Sequence, residues 1–363
     1  MVENFKSFIT EAKEKPYKLL IISHDDPFDT NETGPLVRKK ASELGIEVYL
    51  AEFMGAYMED DGGSKLFYSY PVDEKGKVKM PSMKDDKDDV KYDKPFKIDS
   101  KNTLVMVRGL NARNGCASWW TMGRTLEHDG FKVVNSVKCN EICNDKWYNQ
   151  IIFQRNNINT PVTVLIRHSE GAIFAAEKLG NKYPMILKTS VGSRGVGVMW
   201  VESAKALMGI VQLLYREDRY VDILLQEYIK TDYDVRVIVV GDEIMGAMKR
   251  PIVEGDFRSN VSQGSEPEVH ELTELESKES LRAAKAVDGS IVGVDFIPAK
   301  NRDKESPYFI EVNSTPGLVG IESTFADSQI DSKLYKKSLK KEKGKISITT
   351  EILKTYMNRD NWS

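Results

Sequence analysis

Asp295, Glu311 and Asn313 stand in two apolar segments, GVDFIP and FIEVNSTPG, and no other feature narrows the possible folds so far. Each segment reads as a buried strand. Glu311 and Asn313 are two residues apart, so in a strand their side chains leave the same face. If the two strands pair, Asp295 projects onto that face as well. Buried carboxylates this close repel each other and lose hydration, so one of them takes a proton unless a cation lies between them. Three oxygen donors on one sheet suit Mg²⁺, which accepts carboxylates together with phosphate oxygens and water. A solvated surface pair fits the apolar flanks poorly.

Upstream lies a glycine-rich loop, LKTSVGSRGVGV, opened by Lys188 at the end of an apolar strand. Gly192, Gly195 and Gly197 can take positive φ, so consecutive N–H groups around Ser193 can point at one anion. The loop joins two strands, lacks the Gly-Lys-Ser/Thr ending of a P-loop and does not spell the dinucleotide fingerprint. A strand–loop–strand flap that closes over phosphates fits better. Lys188 is costly to bury without an anion, and a phosphate would serve. Arg236, Lys249, Arg250 and Arg258 fall between the flap and the carboxylate strands, and arginine forks bind carboxylates and phosphates bidentately. No Ser or Cys has a placed base, so covalent acyl-enzyme chemistry is disfavoured. Together these residues describe a site for a nucleoside triphosphate and magnesium.

The 363 residues suffice for two or three compact units, and strand and helix signals place the chain in the mixed α/β (α+β) class. Residues 1–137 alternate strands (KLLIISH, VYLAEF, TLVMVRG) with helices, as a small parallel sheet does. Within them, residues 57–101 read as a solvated, charge-dense insertion, with a hairpin turning at Glu74-Lys75-Gly76. Residues 138–330 form a second unit: a flap at about 183–230 and an antiparallel core at about 231–325. Its first stretch, CNDKWYNQIIFQRNN, reads as one helix. YDVRVIVVGDEIMGAMKR reads as a hairpin through Gly241-Asp242. Residues 331–363 read as a C-terminal extension with a basic run.

A net charge of −3 leaves no basic field for nucleic acid, and no apolar run reaches the length of a membrane span. The N-terminus lacks the apolar core of a secretory signal. Three cysteines without a His/Cys cluster read as free thiols in a reducing, cytoplasmic setting. The four histidines are scattered, and no motif marks one as a base.

From about residue 144 to 321 the chain resembles the ATP-grasp superfamily, and within it the RimK group, typified by the ligase that adds glutamate to the C-terminus of a ribosomal protein. The blocks that carry the resemblance come in order: NDK, the Lys188 strand with SVGSRGVGV, LLQEYI, DVRVIVVGDEIMGAMKR, EGDFRSN, GVDFI and IEVNSTPGLVGIE. The first hundred residues match the pre-ATP-grasp domain only through MVRGLNARNG and the helix after it. The insertion and the tail depart from the ribosomal enzyme, so that protein target does not carry over.

The resemblance implies ATP as a cofactor with two Mg²⁺ ions, for which Mn²⁺ can substitute. Lys146 and Lys188 would contact phosphates, with Gly192, Ser193, Gly195 and Gly197 in the loop above them. Glu227 and Tyr228 would bind adenine, and Asp234 the ribose. Arg258, Ser259 and Asn260 would contact the phosphates, and Arg236 would hold the acid substrate, which makes Arg258, Asn260 and Arg236 the expected catalytic residues. Asp295, Glu311 and Asn313 would be the metal ligands. The implied partners are a peptide or protein carboxyl substrate and an amino acid such as glutamate, with a homo-oligomer as a further expectation and no nucleic acid or membrane. The implied activity is ADP-forming amide ligation through an acyl phosphate. A small-peptide ligase of glutathione-synthetase type and a non-catalytic nucleotide-binding module remain as alternatives.

Overall fold

The computed structural model describes residues 17–23, 33–52, 56–62, 64–69, 94–108, 117–190, 197–252, 267–326 and 347–357. In the N-terminal region the elements are β1 (Lys18–Ser23), α1 (Thr33–Glu43), β2 (Glu47–Glu52), β3 (Tyr57–Asp61), β4 (Ser64–Tyr68), β5 (Phe96–Ile98), β6 (Thr103–Arg108), α2 (Ala117–His128) and β7 (Lys132–Val134). Four of these strands make a parallel sheet in the order β2-β1-β6-β7. Both faces of β1 and β6 are covered, which is why their sequences run apolar without alternation. Leu19, Ile21, Leu104 and Met106 face the large core with Val37 and Ala41 of α1. Leu20, Ile22, Val105 and Val107 face a second core with Leu126 of α2.

The charged insertion is less detached than its composition implies. β3, β4 and β5 form an antiparallel sheet, and Phe67 and Ile98 are fully buried in the second core. Two apolar anchors per hairpin are easily hidden among charges. The turn expected at residues 74–76 lies outside the described residues.

Next come α3 (Val137–Asn144) and α4 (Lys146–Arg155); the stretch expected as one helix from Cys143 is helical from Lys146, with Cys143 and Asn144 ending α3. The break is Asp145, whose backbone is extended (φ −111°, ψ 108°). Its carboxylate caps α4 by accepting from the N–H groups of Trp147 and Tyr148, so the aspartate starts a new helix instead of continuing the old one.

A four-stranded antiparallel sheet follows, built from β8 (Thr163–Ile166), β9 (Met185–Thr189), β10 (Val198–Val201) and β11 (Ile223–Glu227) in the order β10-β9-β11-β8. Helices α5 (Gly171–Lys178) and α6 (Ala204–Glu217) bury Ala172, Ala175, Ala176, Leu207 and Val211 against it. Residues 191–196 of the glycine-rich segment, between β9 and β10 in sequence, lie outside the described residues.

The last sheet holds β12 (Tyr233–Val240), β13 (Glu243–Pro251), β14 (Glu268–Val269), β15 (Ile291–Ile297) and β16 (Tyr308–Asn313) in the antiparallel order β14-β13-β12-β15-β16. Helix α7 (Glu274–Ala286) packs on it behind a capping box made by Thr273 and Glu276. Helix α8 (Val319–Ala326) follows β16. Helix α9 (Ile348–Tyr356) lies within the C-terminal extension, residues 331–363. Ile348, Ile352, Leu353 and Tyr356 are buried in the large core, and the Tyr356 hydroxyl donates to the Ser290 carbonyl. Among the described residues no helix is long and apolar enough to cross a membrane.

Candidate active site

The β12–β15–β16 ladder brings the sequence-predicted donors together. Asp295 pairs with Glu311 on one side and with Arg236 on the other, while Gly293 pairs with Asn313. With a period of two, Arg236, Asp295, Glu311 and Asn313 leave one face of the sheet. Directly after Asp295 the ladder slips, so that Phe296 pairs with Phe309 and Ile310 is passed over. Without that slip Glu311 and Asn313 would turn to the opposite face relative to the Phe296 end of the strand. Gly293 is needed for space: a Cβ there would stand 3.0 Å from Pro316 Cβ and 3.6 Å from the Arg236 side chain.

Four charges interlock at the centre. Arg236 grips Asp295 bidentately, from Nε to Oδ1 at 2.8 Å and from Nη2 to Oδ2 at 2.6 Å. Arg250 grips Asp234 in the same way, at 2.7 and 2.6 Å, and also donates to Asp295 Oδ2 at 2.9 Å. Burial works against the Asp295 carboxylate, but Arg236 and Arg250 outweigh it and hold the group below the ordinary range. Burial likewise opposes the charge on Arg250, and Asp295 and Asp234 overcome it, so this guanidinium stays protonated. Asp234 therefore points at Arg250, with both oxygens engaged, and Arg236 points at Asp295.

The donor set can be tested against a magnesium ion. A carboxylate offers about four lone-pair sites. Asp295 Oδ2 already accepts twice and Oδ1 once, so one site on Oδ1 is left. Asn313 Oδ1 accepts from Thr315 N at 2.9 Å and keeps a second lone pair. Glu311 is partly buried and accepts no hydrogen bond from a described residue. Glu311, Asn313 and one oxygen of Asp295 thus fit a hard cation that takes its remaining ligands from phosphate and water. Among the described residues there is no cluster of three His, Cys, Asp or Glu side chains that would hold a metal without such help.

Lys188 reaches the same place from β9. Burial pulls its ammonium down to about 8; Glu311 pushes it back up and Lys146 lowers it further, so all three lie within electrostatic reach. Its hydrogen-bond partner is neutral: Nζ donates to Gln226 Oε1 at 2.7 Å, and Gln226 is held by Thr163 Oγ1 at 2.7 Å. Lys146 begins α4, where its backbone N–H donates to the Ser190 carbonyl at 3.2 Å, and the Ser190 hydroxyl donates to Asp145 at 2.6 Å. These bonds tie the root of the glycine loop to the start of α4.

At the carboxyl end of β11, Glu227 accepts from the Val162 N–H at 2.7 Å. The Tyr228 ring meets Trp200 of β10 edge-on, with centroids 4.7 Å apart. Gly197 closes the glycine loop at φ +81°, and a Cβ there would fall 2.5 Å from Thr189 Oγ1. Gly192, Ser193, Gly195, Arg258, Ser259 and Asn260 lie outside the described residues. Sequence reasoning missed Gln226, Asp145 and an asparagine clamp. Asn135 donates to the Ile291 carbonyl and accepts from the N–H groups of Ser290 and Ile291, and Asn140 accepts from the Ser314 hydroxyl. Asp145 and Gln226 stand in the NDK and LLQEYI blocks, whereas the two asparagines carry no period or motif, only bonds to segments distant in sequence.

The family model of the RimK-like ATP-grasp domain matches residues 143–337, more than half of the chain. The chain belongs to the RimK-like ATP-grasp family. A "probable alpha-L-glutamate ligase" of Xanthomonas euvesicatoria is 36% identical over 201 residues, which cover 55% of this chain and 66% of that protein. The match therefore spans just under two thirds of the relative's length. The fold is shared with the ATP-grasp ligase PsnB complexed with its minimal precursor (TM-score 0.57, 17% identity, covering 85% of this chain and 94% of that one). It is also shared with the D-alanine–D-alanine ligase of Bacillus anthracis complexed with ATP (TM-score 0.56, 18% identity, covering 84% and 88%). ATP-grasp domains use ATP and Mg²⁺, and the donor set described above suits both.

Proposed function

We propose that this RimK-like chain is an ATP-dependent, ADP-forming carboxylate–amine ligase that joins an amino acid such as glutamate to the carboxyl end of a peptide or protein. One arrangement carries the reading: Glu311, beside Asp295 in the β15–β16 ladder, lies within electrostatic reach of the Lys188 ammonium at the root of the glycine loop. That arrangement joins a candidate metal set to a candidate phosphate contact. The glutamate-ligase name of the Xanthomonas relative and the precursor bound to PsnB favour an amino acid and a peptide as substrates.

In this reading a substrate carboxylate attacks the γ-phosphorus of ATP, giving an acyl phosphate and ADP. The amine then attacks the acyl carbon, forming the amide and releasing phosphate. Glu311, Asn313 and Asp295 would hold magnesium, as two ions for which Mn²⁺ can substitute, and the metal would supply charge neutralisation at the phosphate oxygens. Lys146 and Lys188 take phosphate oxygens, and the loop of Gly192, Ser193, Gly195 and Gly197 excludes water above them. Glu227 and Tyr228 border the adenine, and Trp200 backs the Tyr228 ring. Asp234 contacts the ribose if Arg250 yields one of its oxygens. Arg258, Ser259 and Asn260 stabilise the transferring group, and Arg236 passes from Asp295 to the substrate carboxylate. We place the protein in the cytoplasm, in keeping with thiols at Cys139 and Cys143 that stand 3.9 Å apart without a disulfide.

The test is a matrix of peptides and free acids against amino acids, read by ADP release and by the mass of the product. ADP formation that needs both substrates supports the reading. Release of AMP, or nucleotide turnover indifferent to both substrates, refutes it. Turnover restricted to free dipeptides and glycine-sized donors would favour a small-peptide ligase instead.

A further inference from the structure

Arg108 is the last residue of β6, at the carboxyl edge of the parallel sheet. Leu104 and Met106 face the large core, so by the strand period Arg108 leaves that same face. Helix α1, which follows β1, covers this face, and α2, which follows β6, covers the other. The winding of the sheet therefore reverses between β1 and β6, and Arg108 pairs with Ser23 at that reversal. Parallel sheets with helices on both faces bind ligands at the carboxyl ends of the strands where the winding reverses.

The guanidinium there is buried and, among the described residues, has no acid partner. Arg108 is 4% exposed. Among the described residues its Nη2 donates to backbone carbonyls, Pro316 O at 2.6 Å and Thr315 O at 3.4 Å, and its buried Nε meets no acceptor. Arg250 and Arg236, by contrast, each grip a carboxylate. Burial alone draws Arg108 down to about 10, with no carboxylate to offset it. An unpaired cation in such a place is expensive unless an anion visits it. The loop it touches leads directly out of the candidate metal strand, since Thr315 donates its N–H to Asn313.

We propose that Arg108 anchors the α-carboxylate of the amino acid that supplies the amine, and so selects amino acids over neutral amines. This deepens the ligase reading and rests on it. The guanidinium fork sets the anion class, because it matches one carboxylate bidentately. Behind it Met106, Val134, Asn135, Ser314 and Ile352 are neutral, so among the described residues lining that space Arg108 carries the charge. That matches a carboxylate better than a phosphate of nearly twice the charge. The cavity beside Arg108 is about 10 Å³, room for one water, so the ligand lies outside it at the strand ends. Arg108 then exchanges the Thr315 and Pro316 carbonyls for a carboxylate, and a hydrogen bond between two ions is roughly twice as strong as one to a neutral group.

The test compares L-amino acids with their α-amides as amine donors, using the full chain with ATP, Mg²⁺ and a carboxylate acceptor from the matrix above. Wild type should prefer the acid to the amide. Arg108→Gln should raise the KM for the acid by about 10- to 100-fold while kcat, the KM for ATP and the KM for the amide stay near wild type. Arg108→Lys, which keeps the charge and loses the fork, should fall between them. It carries the same comparison if Arg108→Gln does not fold. Unchanged discrimination in the variants, or equal losses for acid and amide, overturns the proposal and leaves the ligase reading standing. A wild-type chain that turns over with no amino acid overturns both.

Discussion

Nucleotide binding should take up a proton, and Lys188 should be the group that takes it. In the free protein its ammonium sits at about 8, because burial and Lys146 outweigh the pull of Glu311. Phosphate oxygens at the same point would restore the charged form toward its ordinary range. Above pH 8 the free protein has therefore lost the proton that the bound protein keeps. Binding then costs up to about 1.4 kcal/mol, or tenfold in affinity, for each pH unit between 8 and the bound value. At pH 8.5 about three quarters of a proton should be absorbed per Mg-ADP bound. The assay is calorimetry of Mg-ADP binding at pH 8.5 in two buffers of different ionisation heat. Lys188→Met should abolish the uptake, and Lys188→Arg should abolish it while retaining affinity at high pH. Uptake that survives in Lys188→Met would show that the titrating group lies elsewhere and that Lys188 does not meet the phosphates.

Removing Arg250 leaves Asp234 and Asp295 buried with a shared partner gone. Arg250→Met should cost about 3–5 kcal/mol in urea unfolding, and Asp234→Asn in the same chain should recover part of that loss. Behind the same sheet, burial disfavours the Glu276 charge, but bonds from Arg302 and His270 prevail and bring it to about 2. A depressed carboxylate adds stability above its unfolded value and loses it as pH falls through the folded one. The wild type should therefore lose stability on acidification from about pH 4.5 toward 2, by on the order of 2 kcal/mol from this group. Glu276→Gln should lose a similar amount at pH 7 and show a flatter acid limb in thermal melts.

The ion-site strands were legible because two signals coincide there: apolar flanks that require burial, and the spacing of Glu311 and Asn313 that selects one face. Lys188 was legible for a similar reason, as a charge ending an apolar run. The charge network around Asp295 was not. Which arginine meets which aspartate depends on cross-strand register, and the β12–β13 ladder shifts between Ile238 and Val239. Nothing in one strand's residues reveals a shift set by its neighbour. Asp145 could have been read as a cap, but the helix-compatible residues on both sides masked the break. The α9 helix carries the i, i+4 spacing of Ile348, Ile352 and Tyr356, and the basic run before it drew attention to charge instead. Arg108 is the opposite case. Its strand was plain, but its lack of an acid partner shows only once the chain is folded.

Central to the account is an acyl phosphate, formed when a substrate carboxylate attacks the γ-phosphate beside Lys188, Glu311 and Asp295. It is tested most directly with a carboxyl substrate labelled with ¹⁸O. Mass spectrometry of the released phosphate should find one ¹⁸O transferred per amide formed, with ADP as the other product. Unlabelled phosphate, or label appearing in AMP, would contradict it.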